Sequence, residues 1–280
     1  MIGNYLIGFR EGIEAALIVS ILVTYLVRTQ RQALIRHVWA GVLSAIIVSA
    51  GVAGLLQVIS SDLSDHAEPI FAGTMSFLAV VFVTWMIFWM KRTARTIAHD
   101  LRSRLDIAAG TGGALAVASM AFFAVVREGA ETAVFFWAAA HATGHQTVAL
   151  IGLLLGLVTA VFVGYLVFKS SAKINMRTLF KVTGVALVFV AAGVLSYGIA
   201  EFQEVGLLPF GTQIALDLSA YLPDGSIQAT LAAGLFNLKP LTSVLQAVAY
   251  VVYTVIVMTL VLRPAGTSVT PNVAPDRTAV

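Results

Sequence analysis

Long apolar runs recur along the whole chain, and this pattern excludes a soluble domain. Hydrophobic residues make up 59% of the 280 residues, whereas charged residues make up 11%, and the mean hydropathy is +0.92. A run of about twenty apolar residues is long enough to cross a ~30 Å hydrocarbon core as one helix. The sequence therefore predicts an all-α fold of the polytopic membrane class.

Seven runs are predicted to cross the membrane, and charged connections separate them. The tail that follows, residues 263–280, is short and rich in Pro, Thr and Ala, a composition typical of disorder. The predicted spans are residues 2–27, 37–60, 69–90, 107–140, 147–168, 183–200 and 241–262.

The charges in the connections predict an orientation. Basic clusters follow the first, third, fifth and seventh spans, whereas the alternate connections are acidic. Because positively charged loops stay in the cytoplasm, the N-terminus is predicted to lie outside and the C-terminal tail inside. An even number of spans would place a basic cluster on the outer side.

Two copies of one charged motif lie inside these apolar spans. Residues 10–14 read Arg-Glu-Gly-Ile-Glu in the first span, and residues 127–131 read Arg-Glu-Gly-Ala-Glu in the fourth. Six uncompensated charges at ~2.5–3.5 kcal/mol each would cost roughly 15–20 kcal/mol at the centre of a membrane. On a helix, the three charged side chains of one motif share a face. Gly12 then lies on the back, where a second helix can approach closely.

The spacing of the motifs predicts an internal repeat. They are three spans apart, so the segments that carry them cross the membrane in opposite directions. An inverted-topology repeat has this arrangement, and its substrate site usually lies near the midplane. We predict one transmembrane domain over residues 1–262, made of a first repeat (about 1–106), a second repeat (about 107–204), an outer connection with short interfacial or re-entrant helices (205–240) and a last helix (241–262). Gly110, Gly112 and Gly113 are expected to begin or interrupt the fourth helix.

The four motif glutamates form the predicted metal site. Two facing motifs hold four carboxylates and two guanidinium groups, so one carboxylate per motif is left without an arginine. Oxygen ligands suit hard cations such as Fe(III), Mn(II), Mg(II) or Ca(II), with Fe(II) acceptable. The alternatives are a purely structural salt-bridge network and a proton relay without metal. We expect a cation site built from Glu11, Glu14, Glu128 and Glu131, with Arg10 and Arg127 neutralising it when it is empty.

Other polar and aromatic residues receive weaker interpretations. Glu201 and Glu204 repeat the Glu-x-x-Glu spacing at the outer end of the sixth span, where they could capture metal. Scattered methionines are interpreted as core or lipid-facing residues, among them Met75, Met86, Met90 and Met120. Glycines at positions 152, 156 and 164 predict a seam for close helix contact. Tryptophans are interpreted as interface anchors, namely Trp85, Trp89 and Trp137.

The doubled motif, in the first and fourth of seven helices with the N-terminus outside, resembles the iron permeases. This family comprises the fungal high-affinity iron permease and the bacterial EfeU-type permease, and the resemblance extends to about Leu262. It implies a transporter, not an enzyme, that imports iron (Fe3+ or Fe2+) across the cytoplasmic membrane without an organic cofactor. The family's iron-binding positions match Glu11, Glu14, Glu128 and Glu131, its motif arginines match Arg10 and Arg127, and its outward acidic motif resembles residues 201–204.

The resemblance also implies partners. Bacterial permeases of this kind work with extracytoplasmic EfeO- and EfeB-type proteins, and the fungal permease works with a copper ferroxidase. The short tail favours the bacterial branch. Membrane lipid is an expected partner, and nucleic acid is not.

Two rival functions stay open at this point. One is a carrier of another hard divalent metal. The other is an intramembrane metal-dependent lipid-phosphate hydrolase, which needs a Ser or His nucleophile beside the carboxylates. Ser20 lies about two turns beyond Glu14, and no His is close in sequence to either motif, so the hydrolase is the weaker rival.

Overall fold

A computed structural model describes residues 1–93, 103, 105, 107, 112–170, 176–217 and 241–263. The predicted tail beyond residue 263 and most of the outer connection, residues 218–240, lie outside the described residues. Within them the chain forms seven long helices, one 3-10 turn (Gln32–Leu34) and two short strands. The helices are α1 (Ile2–Arg28), α2 (Ile35–Ser61), α3 (Ala67–Thr93), α4 (Gly113–Thr143), α5 (Gln146–Ser170), α6 (Met176–Glu204) and α7 (Val244–Leu262), and the strands are β1 (Ile214–Asp217) and β2 (Leu241–Ser243).

The predicted helical membrane class is confirmed. Six of the described helices, α2 to α7, are long and apolar enough to cross a membrane. The helix outside this set is α1, which carries Arg10, Glu11 and Glu14 in an otherwise apolar sequence. The predicted side of each terminus stays a prediction.

Glycines set both ends of α4. Gly112 precedes the helix and Gly113, with φ +59°, is its first residue, so the expected break at these glycines is confirmed; Gly110 lies outside the described residues. At the other end Gly144 adopts φ +70° and donates its N–H to the His141 carbonyl. A two-residue turn leads to α5, which therefore returns alongside α4.

A glycine seam joins α5 to α1. A Cβ on Gly12 would lie 2.7 Å from the Cβ of Ala160, so only glycine permits this approach. The contacts follow chain order on both helices, pairing Met1 with Gly152, Tyr5 with Gly156 and Ala16 with Gly164. The predicted seam is confirmed, and α1 and α5 run parallel. Since α5 reverses the direction of α4, α1 and α4 run antiparallel.

The same packing joins α2 to α4. Gly41 lies against the backbone of Ala118, and Gly129 lies against Ser49. These two contacts match two contacts of the first pair. Adding 117 to a residue number of α1 gives the equivalent residue of α4, and subtracting 111 from a residue number of α5 gives the equivalent residue of α2. Met1–Gly152 then corresponds to Ala118–Gly41, and Gly12–Ala160 corresponds to Gly129–Ser49. One helix pairing therefore occurs twice, as an inverted repeat requires. The exact repeat and domain boundaries stay predictions.

The third pair, α3 and α6, packs through aromatic rings and glycines. Phe77 and Phe202 stack with their ring centroids 5.4 Å apart, and Gly73 lies under the Phe202 ring. Trp137 also belongs to the interior: it is 2% exposed and contacts Phe71 edge-on. Its predicted role as an interface anchor is therefore wrong, since a large apolar ring can be buried at a span end when neighbouring helices cover it.

The described part of the outer connection contains a strand, β1, where short helices were expected, and its partner β2 occupies the first three residues of the predicted last helix. Residues 205–217 form turns followed by β1, which pairs antiparallel with β2. The prediction of short helices is thus wrong for the described part, because hydrogen bonds to β2 satisfy the backbone polar groups of β1. Ser243 closes the pair and caps α7 in a capping box with Gln246, and its hydroxyl donates to Gln203 on α6.

Candidate metal site

The first motif forms a buried charge cluster on one face of α1. Arg10 donates through Nη1 to Glu11 Oε1 at 3.1 Å, and its Nη2 forms an ion pair with Glu14 Oε1 at 3.1 Å. The three side chains are at most 5% exposed. The arginine therefore compensates both carboxylates within its own helix, as the spacing predicts.

The second motif makes the same pairs in a more open environment. Arg127 donates to Glu128 through Nε at 3.1 Å and through Nη2, and its Nε lies 3.8 Å from Glu131 Oε1. Glu128 is buried, whereas Arg127 is 50% exposed and Glu131 is 27% exposed. The Arg127 guanidinium lies 5.1 Å from the centroid of the Trp89 ring.

Carboxylates of both helices converge between the motifs. One oxygen from each of Glu11, Glu128 and Glu131 can be chosen so that all three lie within 4.8 Å of one another. Glu14 is outside this group, although it shares Arg10 with Glu11. The second oxygen of Glu11 is buried and, among the described residues, has no hydrogen-bond partner. The structure thus brings three of the four predicted ligands together, and the second oxygen of Glu11 is not used in any hydrogen bond among the described residues.

The glycine of each motif allows this convergence. Gly12 and Gly129 lie on the backs of their helices, against α5 and α2 respectively. Close approach at these glycines fixes each motif helix against its partner, so the opposite, charged faces are directed inward. The motif therefore combines a packing residue with the charged residues it positions.

An apolar layer covers one side of the glutamate group. A small cavity of about 20 Å³ is lined only by apolar residues of α1, α3, α4 and α6, among them Ile7, Val83, Phe135 and Leu187. Ile7 is one turn from Glu11 toward the start of α1, and Phe135 is one turn from Glu131 toward the end of α4. Because α1 and α4 are antiparallel, both residues lie on the same side of the glutamates.

The predicted capture residues are separate from this group. Glu201 is half-buried and hydrogen-bonded to Tyr197, and Glu204 is exposed. Within the described ranges, neither belongs to a group of side chains that could hold a metal ion. Their capture role stays a prediction.

Two residues on α3 contact the motifs and were not assigned to the site from the sequence. Met86 accepts a contact from Arg10 Nη1 at 2.7 Å to its Sδ, and Trp89 lies beside Arg127. They are three positions apart and so lie on one helix face. The sequence shows this spacing but not which face of α3 meets the motifs.

Comparison with known proteins identifies the family. The profile of the Iron permease FTR1 family matches residues 1–268. A protein named ferrous iron permease EfeU from Escherichia coli O6:H1 is 35% identical over 270 residues, which cover 96% of this chain and 98% of the relative. The EfeU of Shigella sonnei is 37% identical over 251 residues, covering 89% and 91%. That of Yersinia pestis is 34% identical over 275 residues, covering 98% and 97%.

No solved structure matches the chain. The family match spans nearly all of the sequence, and the relatives are aligned over almost their full lengths. The family is one of permeases, which are transporters and not enzymes. With its long apolar helices, this multi-pass membrane protein belongs to the Iron permease FTR1 family.

Proposed function

We propose that this chain imports iron across the cytoplasmic membrane and binds the ion between the two motifs. The observation that carries the proposal is the convergence of Glu11, Glu128 and Glu131 from antiparallel helices within 4.8 Å. Each arginine is shared by the two carboxylates of its own motif, and one buried oxygen of Glu11 has no hydrogen-bond partner among the described residues, so the arginines alone do not satisfy the carboxylates. Three carboxylates this close together are suited to binding a cation.

The geometry needs little adjustment to hold an ion. A small hard cation binds oxygen at about 2.1 Å, so three ligand oxygens around one ion lie about 3–3.6 Å apart. The three carboxylates would therefore approach one another by about 1–2 Å, which side-chain rotation can supply. Glu14 is the proposed fourth ligand and would join after releasing Arg10.

The charge favours divalent iron. Four carboxylates and two arginines give the ionised motifs two negative charges in excess, which Fe(II) balances. The relatives named above are called ferrous iron permeases, and we extend that substrate to this chain. Arg10 and Arg127 would neutralise the site between transport cycles.

The direction of transport follows from the predicted orientation. Iron would arrive at the outer side, where Glu201 and Glu204 are the proposed capture residues, and leave toward the basic cytoplasmic side. Partners of the EfeO and EfeB type would deliver it.

The test is iron uptake by proteoliposomes that contain the purified protein. Fe(II) is supplied outside under reducing conditions, and accumulated iron is measured in wild type and in Glu11→Gln, Glu128→Gln and Glu131→Gln. Each substitution keeps the side-chain shape and removes the charge, so uptake should fall to the level of empty vesicles. Asp65→Asn, an exposed carboxylate between α2 and α3, is the matched control and should transport normally.

Retained uptake in the three glutamine variants would reject the site. The same vesicles separate the rival functions: competition by Mn(II) or Mg(II) that equals Fe(II) would indicate a general divalent carrier. Turnover of lipid phosphate without metal accumulation would indicate the hydrolase.

A further inference from the structure

Among the described residues, Met86 is the methionine whose sulfur contacts a charged side chain of the motifs. Its Sδ lies 2.7 Å from Arg10 Nη1, and Met86 is 8% exposed, on the buried face of α3. The same Nη1 donates to Glu11 Oε1. One guanidinium nitrogen therefore separates a thioether sulfur from a carboxylate of the proposed iron site.

The contact is unusual for its chemistry. Thioether sulfur is only a weak hydrogen-bond acceptor, so it adds little to the compensation of Arg10, which already has two carboxylate partners. An alkyl side chain of the same volume would fill the space equally well. The sulfur adds something that packing does not need, namely a soft lone pair beside hard oxygen ligands.

Arg10 controls access to that lone pair. Its Nη2 is paired with Glu14 and its Nη1 is shared by Glu11 and Met86. A cation that binds Glu11 and then Glu14 draws both carboxylate partners away from the Arg10 guanidinium, which is then free to move. The Met86 sulfur is then uncovered beside the bound ion, and the flexible side chain can turn toward it.

We propose that Met86 supplies a thioether ligand that gives the glutamate site its preference for Fe(II) over harder cations. The inference rests on the proposed function, since it concerns the selectivity of that same site. Carboxylates alone suit Mg(II), Ca(II) and Mn(II), whereas a thioether favours softer ions. A mixed ligand set therefore raises the affinity for Fe(II) relative to Mn(II).

The experiment compares Met86→Leu with Met90→Leu in proteoliposomes. Met90 is a buried methionine one turn further along α3, so the control has the same chemistry in the same helix. Uptake of Fe(II) is measured against increasing Mn(II), and separately in the presence of Ag(I), a soft ion that thioethers bind. Met86→Leu should lower the preference for Fe(II) over Mn(II) by about tenfold and remove inhibition by Ag(I). Met90→Leu should behave as wild type in both assays.

Two results would overturn the inference. Equal loss of Fe(II) and Mn(II) uptake in Met86→Leu would mean that Met86 only positions Arg10. Unchanged selectivity and unchanged inhibition by Ag(I) would mean that the sulfur does not meet the ion. Met86→Ile serves as a second variant if the leucine variant elutes as aggregate in size-exclusion chromatography. Absence of Fe(II) uptake in wild type would reject the proposed function itself, independently of Met86.

Discussion

The two copies of the motif have the same chemistry but different surroundings. Arg10 is 2% exposed and lies among α1 and α3 side chains, whereas Arg127 is 50% exposed and reaches the protein surface beside Trp89. In each copy the arginine precedes its glutamates. Because α1 and α4 are antiparallel, the two arginines therefore lie on opposite sides of the glutamate group.

An apolar layer adds to this difference, because it covers one side of the glutamate group. On the Arg10 side the apolar layer with Ile7 and Phe135 separates the carboxylates from the end of the bundle. On the other side Glu131 and Arg127 are accessible. With the predicted orientation, the apolar layer lies on the outer side. The two copies of the motif, although alike in sequence, thus differ in burial.

The largest expected difference between the copies concerns their arginines. Arg10→Gln leaves two buried carboxylates without a cation and should destabilise the protein by about 3–5 kcal/mol. Arg127→Gln leaves one buried carboxylate, Glu128, without its arginine, whereas the partly exposed Glu131 can be solvated, so it should cost less, about 1–3 kcal/mol. Thermal unfolding of the two variants in the same detergent measures this. Equal shifts in melting temperature would show that the two environments do not differ.

The glycine seams should respond alike in both halves. A Cβ at Gly156 would meet backbone atoms of α1, and one at Gly41 would meet backbone atoms of α4. Gly156→Ala and Gly41→Ala should each cost about 1–3 kcal/mol, the usual range for overpacking. Gly54 has no neighbour within 4 Å, so Gly54→Ala is the control and should be neutral or stabilising by about 1 kcal/mol or less. A large loss at one seam and none at the other would contradict equivalent packing.

The smallest expected effect concerns Trp89. Its ring holds Arg127 by a cation–π contact of about 0.5–1 kcal/mol. Trp89→Leu should therefore change the iron uptake rate by about fivefold or less. Trp85 on the same helix is 65% exposed, and Trp85→Leu should leave the rate unchanged. If the two variants are indistinguishable, Trp89 has no role in holding Arg127.

Much of this arrangement follows from local sequence. Apolar runs predict the helices because membrane spans must be long and uncharged, and five of the seven predicted starts lie within three residues of the observed ones. The fourth starts six residues later because Gly113 begins α4, and the sixth starts seven residues earlier, at Met176. The Glu-x-x-Glu spacing likewise predicts that Arg10 reaches both of its glutamates.

The remaining features depend on contacts between helices. Glu14 has the same spacing as Glu131, yet Glu14 lies outside the group of three and Glu131 lies in it. The burial of Trp137 and the contact of Met86 with Arg10 depend on how α3 is rotated. The pairing of β1 with β2 joins segments more than twenty residues apart in the chain, which no local pattern reveals.

The central claim is that one ion is bound by glutamates of both motif helices. Anomalous scattering at the iron edge, from crystals of the wild-type protein soaked anaerobically with Fe(II), tests it most directly. The account predicts a single strong peak within bonding distance of Glu11 on α1 and of Glu128 or Glu131 on α4. A peak bound by one helix alone, or iron found only at the protein surface, would contradict it.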